Sequence, residues 1–203
     1  LAATSLRWGV VRICYRPAVI PRKTLLQLIG LGVMGNTIYQ MGFLAGLART
    51  AATNSAVLIA FIPVMVAVFG AALKIERATR GVQIALVMGT VGVVMIVAEG
   101  GGASFSSETL TGDLLTLGSV VLWSLFTLGV RAVGRGISPI RVTAITTAAG
   151  TPGLVLAGLP GALSHDWAAV SNAAWAAMFY ASAISIVVAY LLWNLSVQVL
   201  GST

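Results

Sequence analysis

The stretch LARTAATNSAVLIAFIPVMVAVFGAALKIER, Leu47 to Arg77, decides the fold. Between Arg49 and Lys74 it holds no charged residue, and its apolar part, Thr53–Leu73, is long enough to cross a bilayer. The hydrocarbon core is about 30 Å thick and a helix rises about 1.5 Å per residue, so about 20 apolar residues suffice. Working outward, further charge-free runs follow the same rule: Thr24–Ala48, Gly81–Ala98, Leu114–Val130, Val142–Leu163 and Ala173–Leu200. Leu1–Tyr15 is too short to span and carries Arg7 and Arg12, so it reads as the inner part of a further helix.

Composition agrees with this reading. Hydrophobic residues make up 58% of the chain and charged residues 8%, against roughly 25% charged in an ordinary soluble domain. There is too little polar surface to cover a water-soluble globule. The formal charge of +7 does not point to nucleic acid, which needs a basic face with base-reading partners. Here the cations sit in short clusters between apolar runs. Cys14, the single cysteine, excludes an internal disulfide framework and has no metal-ligand spacing; it reads as a small buried apolar side chain.

The clusters set orientation. Arg16, Arg22 and Lys23 fall in one loop, Lys74, Arg77 and Arg80 in a second, and Arg131, Arg135 and Arg141 in a third. The loops between them hold Arg49 alone, then Glu99, Glu108 and Asp113, then His165 with Asp166. This alternation follows the positive-inside rule. Loops 16–23, 74–80 and 131–141 are therefore expected to be cytoplasmic. His165 and Asp166 are expected to be solvated outside, and Glu76 to balance the charges around it.

The chain also echoes itself. NTIYQMGFLAGLART, Asn36 to Thr50, and AYLLWNLSVQVLGST, Ala189 to Thr203, both run from an amide- and aromatic-bearing helix through an apolar stretch to a closing Thr. The turn after the first copy falls outside on the charge count and the turn after the second falls inside. A repeat unit with an odd number of helices, in inverted topology, gives that result, and inverted repeats are a building plan of secondary transporters.

At these residues the chain resembles the EamA-type members of the drug/metabolite transporter superfamily. Leu47 to Arg77 and GVQIALVMGTVGVVMIV, Gly81 to Val97, resemble the family's Thr- and Ala-rich turn, mid-helix Pro, Glu after the helix, and Gly–Val-rich helix. A second copy resembles the family from GDLLTLGSVVLWSLFTLGVR, Gly112 to Arg131, with Trp123, through SPIRVTA to the closing helix. The resemblance implies an all-α polytopic helical membrane protein, part of a ten-helix bundle made of two inverted five-helix repeats. On that map, 1–98 is a first repeat lacking its first helix and part of the second. Residues 99–111 are an external linker, and 112–203 form a second repeat lacking its last two helices. Arg12 in Leu1–Tyr15 departs from the family's second helix.

Polar groups kept inside a bilayer are costly and so are candidates for function. Asn36, Tyr39 and Gln40 are such a set, with Asn36 and Gln40 four apart on one helix face. Tyr190, Trp193 and Asn194 repeat it, and Trp123 supplies an aromatic wall. Read as function, these seven residues line a cavity for a small amphipathic solute. Read as structure, the amides bridge helices and the aromatics sit in interfacial belts. Pro63 removes a backbone hydrogen bond and marks a kink that either gates a path or serves packing. Gly42 with Gly46, and Gly89 with Gly92, read as small faces for close helix packing.

No Asp, Glu or His falls within the six complete runs. A proton relay, a metal site and an intramembrane hydrolase are all disfavoured on this ground, and no cofactor is expected. The partners expected are the lipid bilayer and a small-molecule solute. The sequence leads to a secondary transmembrane transporter of the bacterial inner membrane, exporting a small metabolite, amino acid or drug by alternating access. The alternative is a non-transporting helical scaffold or channel-like protein. Oligomeric state is not legible.

Overall fold

The structure is a computed structural model, described for residues 20–75, 80–99, 106 and 109–199. Arg7, Arg12, Cys14 and Glu76 lie outside the described residues, as do the side chains of Tyr190 and Asn194.

Every described element is helical. We number six helices. α1 is Arg22–Leu47, α2 Ala52–Ala72, α3 Arg80–Glu99, α4 Leu110–Val133 and α5 Pro139–Ser164. α6 comprises Asn172–Phe179, Tyr180–Ile186 and Val187–Val199. Helices α1, α2, α4, α5 and α6 contain stretches long and apolar enough to cross a membrane, and α3 has 20 residues. Each of the six charge-free runs corresponds to one helix. The chain is thus an all-α polytopic membrane protein.

Helix ends follow local chemistry. Ser138 and Pro139 open α5, proline being tolerated where its missing N–H has no partner to lose. Gly136, at φ +79°, makes the tight turn before it. α2 closes with Lys74 at φ +56°, while Ile75 N–H donates to Gly70 O at 2.9 Å, a cap that satisfies the last carbonyls.

Two spans are not regular throughout. α1 widens into a π-helix at Val33–Ile38 and α6 does so at Tyr180–Ile186. Both wide segments fall on the two helices that carry the amide–aromatic sets. α2 breaks at Phe61, with Pro63 in the first turn of its second half. α5 contains Pro152 and Pro160, neither of which stands out in the sequence from the turn-forming prolines.

Packing is inside-out relative to a soluble protein. Leu26, Met88, Leu156 and Leu163 are more than half exposed, whereas Asn54, Thr116, Ser124, Thr127 and Thr146 are fully buried. Three of the buried hydroxyls satisfy themselves on their own helix: Thr116 donates to Gly112 O at 2.9 Å, Ser124 to Val120 O at 2.7 Å and Thr127 to Trp123 O at 2.9 Å. In lipid each polar group needs an internal partner, and these residues supply their own.

α1 lies between α4 and α5, and α4 also meets α2 and α6. Near the basic ends of α1, α4 and α5, Leu28, Phe126, Val130 and Val142 form the buried apolar core. Toward the opposite end α1 and α4 approach through small residues. A Cβ at Gly42 would lie 2.7 Å from Ser119 Oγ, and one at Gly46 would lie 2.9 Å from Gly112 O. This is the close approach expected for Gly42 and Gly46. Gly89 and Gly92 differ: a Cβ at either meets nothing within 4 Å among the described residues. The small face of α3 thus has no neighbour among the described residues.

Candidate functional site

A cavity of about 660 Å³ opens between α1, α4, α5 and α6. Asn36, Tyr39 and Gln40 line it from α1, and Trp123 from α4. Val187 and Leu191 of α6 close one side. From α5 come Thr143, Thr147 and Thr151, spaced by four so that one helix face presents all three. The structure thus brings four of the seven predicted site residues around one space.

The local sequence explains why Asn36 reaches it. Gly32 of α1 and Gly150 of α5 lie where a Cβ would collide with the facing helix, at Thr146 and at Asn36 respectively. Without those Cβ atoms α1 and α5 touch. Asn36 Nδ2 then donates to Thr146 O at 3.0 Å, and Thr37 Oγ1 to Gly150 O at 2.6 Å. Asn36 does bridge helices with one end of its amide, as the structural reading expected. The Thr146 carbonyl can only accept, so Nδ2 must face it and Oδ1 is left over. Asn36 Oδ1 has no protein partner among the described residues, although the side chain lines the cavity.

The aromatic wall centres on Trp123. Its ring is 4.7 Å from Tyr39, 5.2 Å from Phe126 and 6.1 Å from Trp193, each tilted. Such offset pairs are favourable arrangements for aromatic quadrupoles. Trp193 therefore joins the site through Trp123 rather than through the cavity lining. Tyr190 and Asn194 lie on the same segment of α6 as Trp193, with their side chains outside the description. Phe61, at the break before Pro63, lines a separate apolar groove between α2 and α3 together with Val64 and Val87. Pro63 is thus not brought to the amide–aromatic cavity.

Two groups of residues escaped the sequence reading. The first is the threonine row of α5, whose signal was its four-residue spacing in TAITTAAGT, Thr143 to Thr151. Thr143 Oγ1 is buried without a hydrogen-bond partner, a costly state unless something else completes it. The second is a polar lock at the opposite end of the bundle from the three basic clusters. Asp113 was expected in an external loop but lies in the first turn of α4 and is buried. Its carboxylate accepts from Thr50 Oγ1, from Asn54 Nδ2 at 3.2 Å and from Thr109 Oγ1 at 2.9 Å. α4 begins earlier than the charge-free run because these donors neutralise the cost of taking a charge into the helix. The half-buried Thr50 and the buried Asn54 were read only as parts of a small-residue turn. His165 and Asp166 are exposed, as expected.

The fold and the cavity define a class: a helical membrane protein with an amide- and aromatic-lined space between its spans. The EamA-like transporter family model matches residues 6–98 and again 110–203, and the chain belongs to that family. A Bacillus subtilis (strain 168) protein called uncharacterized transporter YyaM is 23% identical over 184 residues, covering 90% of this chain and 60% of its own length. An uncharacterized transporter of Archaeoglobus fulgidus is 31% identical over 183 residues, covering 88% and 61%. The chain thus spans about three fifths of these relatives. A solved crystal structure has the same fold, with a TM-score of 0.71 at 20% identity over 97% of this chain and 65% of that one.

Proposed function

We propose that the protein to which this chain belongs is a secondary transporter, not an enzyme, moving a small metabolite, amino acid or drug by alternating access. The observation that carries this reading is the cavity itself. Asn36, Tyr39, Gln40 and Trp123, polar and aromatic groups that a bilayer penalises, meet around a space of about 660 Å³, within the roughly 300–1,000 Å³ of small-molecule sites. Membership of a transporter family and relatives described as transporters support it.

The two stretches matched by one family model are read as two halves of inverted topology, 1–98 and 112–203, joined by 99–111. Loops 16–23, 74–80 and 131–141 are read as cytoplasmic from their charge, in a bacterial inner membrane. On that orientation the cavity begins at Ile140, one residue into α5, and extends to Leu154. At about 1.5 Å per residue it runs from the cytoplasmic side to beyond mid-membrane. The Asp113 lock and the Gly42–Gly46 seam hold α1, α2 and α4 together on the external side. On this reading the carrier is open to the cytoplasm, the loading state of an exporter.

The test is flux. The whole encoded protein in proteoliposomes is offered amino acids, nucleosides and cationic drugs in turn, as wild type and as Gln40→Leu. Movement of one class that Gln40→Leu abolishes without loss of folding supports the reading. A variant that instead fails to assemble, with no flux of any class in the wild type, contradicts it and favours a scaffold.

A further inference from the structure

Resting on the transport reading above, the geometry points to a substrate class: we propose that the cavity takes an uncharged, flat heteroaromatic solute with an N–H edge, a nucleobase or close analogue.

The cavity has two unlike walls. One is aromatic, with Trp123 and Tyr39 at a ring separation of 4.7 Å and both rings bordering the space. A flat ring laid against that wall gains dispersion and offset stacking, about 0.5–1.5 kcal/mol for each such pair beyond burial. The other wall is polar and neutral. Asn36 spends Nδ2 on the Thr146 carbonyl at 3.0 Å, which fixes the amide and leaves Oδ1 as an acceptor. An acceptor held in place selects a solute that donates. Thr147 lines the space from α5 and is exposed to it, one turn beyond Thr143, whose own Oγ1 is enclosed by protein. A hydroxyl both donates and accepts, so together with the fixed acceptor the Thr147 side chain completes an edge of alternating polarity. That edge matches the N–H and C=O groups of a lactam ring.

The described lining is made of amides, hydroxyls and apolar groups. An ionised group taken into such a site without a charged partner is heavily penalised, whereas a neutral edge that fills each hydrogen bond is not. Sites built to bond an N–H discriminate strongly against analogues that lack it, because their own polar groups are then left unpaired. The selectivity therefore rests on the ring's N–H edge.

The experiment uses the whole encoded protein in proteoliposomes with three labelled probes that each carry a flat ring system and differ in charge: neutral hypoxanthine, zwitterionic tryptophan and cationic ethidium. Exchange of hypoxanthine at least tenfold faster than the other two is the expected result. N-methylation of its ring amide should weaken competition about tenfold in the wild type and leave it nearly unchanged in Thr147→Val and in Asn36→Leu. The wild-type comparison of methylated and unmethylated ligand stands even if Asn36→Leu does not fold. Preferred carriage of tryptophan or ethidium overturns the substrate class and leaves the transporter reading intact. Equal competition by both hypoxanthine forms also overturns it. Failure of all three probes and of the wider panel to move overturns the transport reading and this inference together.

Discussion

Asn54, fully buried in the first turn of α2, donates its amide to the carboxylate of Asp113 in α4 at 3.2 Å. The same oxygen accepts from Thr50, and Thr109 holds the other. One carboxylate thus ties the turn between α1 and α2 to the start of α4. Asp113→Ala removes the acceptor shared by Thr50, Asn54 and Thr109, and should destabilise by about 1–3 kcal/mol. Thermal unfolding of the detergent-solubilised protein reads the loss. Asp113→Asn, which keeps one acceptor oxygen, should fall between the alanine variant and wild type.

The α1–α4 seam predicts a contrast between glycines. Gly46→Val places new atoms against Thr116 and the Gly112 backbone oxygen, and should destabilise by about 1–3 kcal/mol or more. Gly89→Ala meets open space among the described residues and should be neutral, or stabilise by up to about 1 kcal/mol through helix propensity. Parallel melting curves of the two variants decide it.

This contrast shows where the sequence was legible. Charge-free runs located each of the six long helices among the described residues, since a bilayer demands about 20 apolar residues per span and little else has that pattern. The amide–aromatic set on α1 was legible because a polar residue in an apolar run is conspicuous. The threonine row was not, because threonine is common in membrane helices and its hydroxyl usually bonds its own backbone. Asp113 was misplaced because its neutralising partners, Thr50 and Asn54, lie in another helix and a turn, and charge counting along the chain cannot see them.

Trp123 joins Tyr39, Phe126 and Trp193. Trp123→Ala should weaken solute affinity roughly five- to tenfold, from about 1 kcal/mol of lost aromatic contact, and Trp123→Phe should recover part of it. The apparent KM for flux measures both.

Pro63 sits just after the break of α2 at Phe61. Pro63→Ala restores a backbone N–H to a place where none was present. If the break is a hinge between open states, maximal flux should fall while KM stays near wild type. Equal values of both for variant and wild type would make the break a packing feature.

On the transport reading, the space beside Thr147 is an aqueous solute path rather than a lipid-filled groove. This is tested most directly by thiol accessibility, in a Cys14→Ser background that removes the chain's one cysteine. Thr147→Cys, on the cavity lining, should react with a membrane-impermeant maleimide applied from the cytoplasmic side. Leu156→Cys, 71% exposed on the same helix and facing lipid, should not. A transported solute should slow the first reaction. An unreactive Thr147→Cys beside a reactive Leu156→Cys would contradict the account.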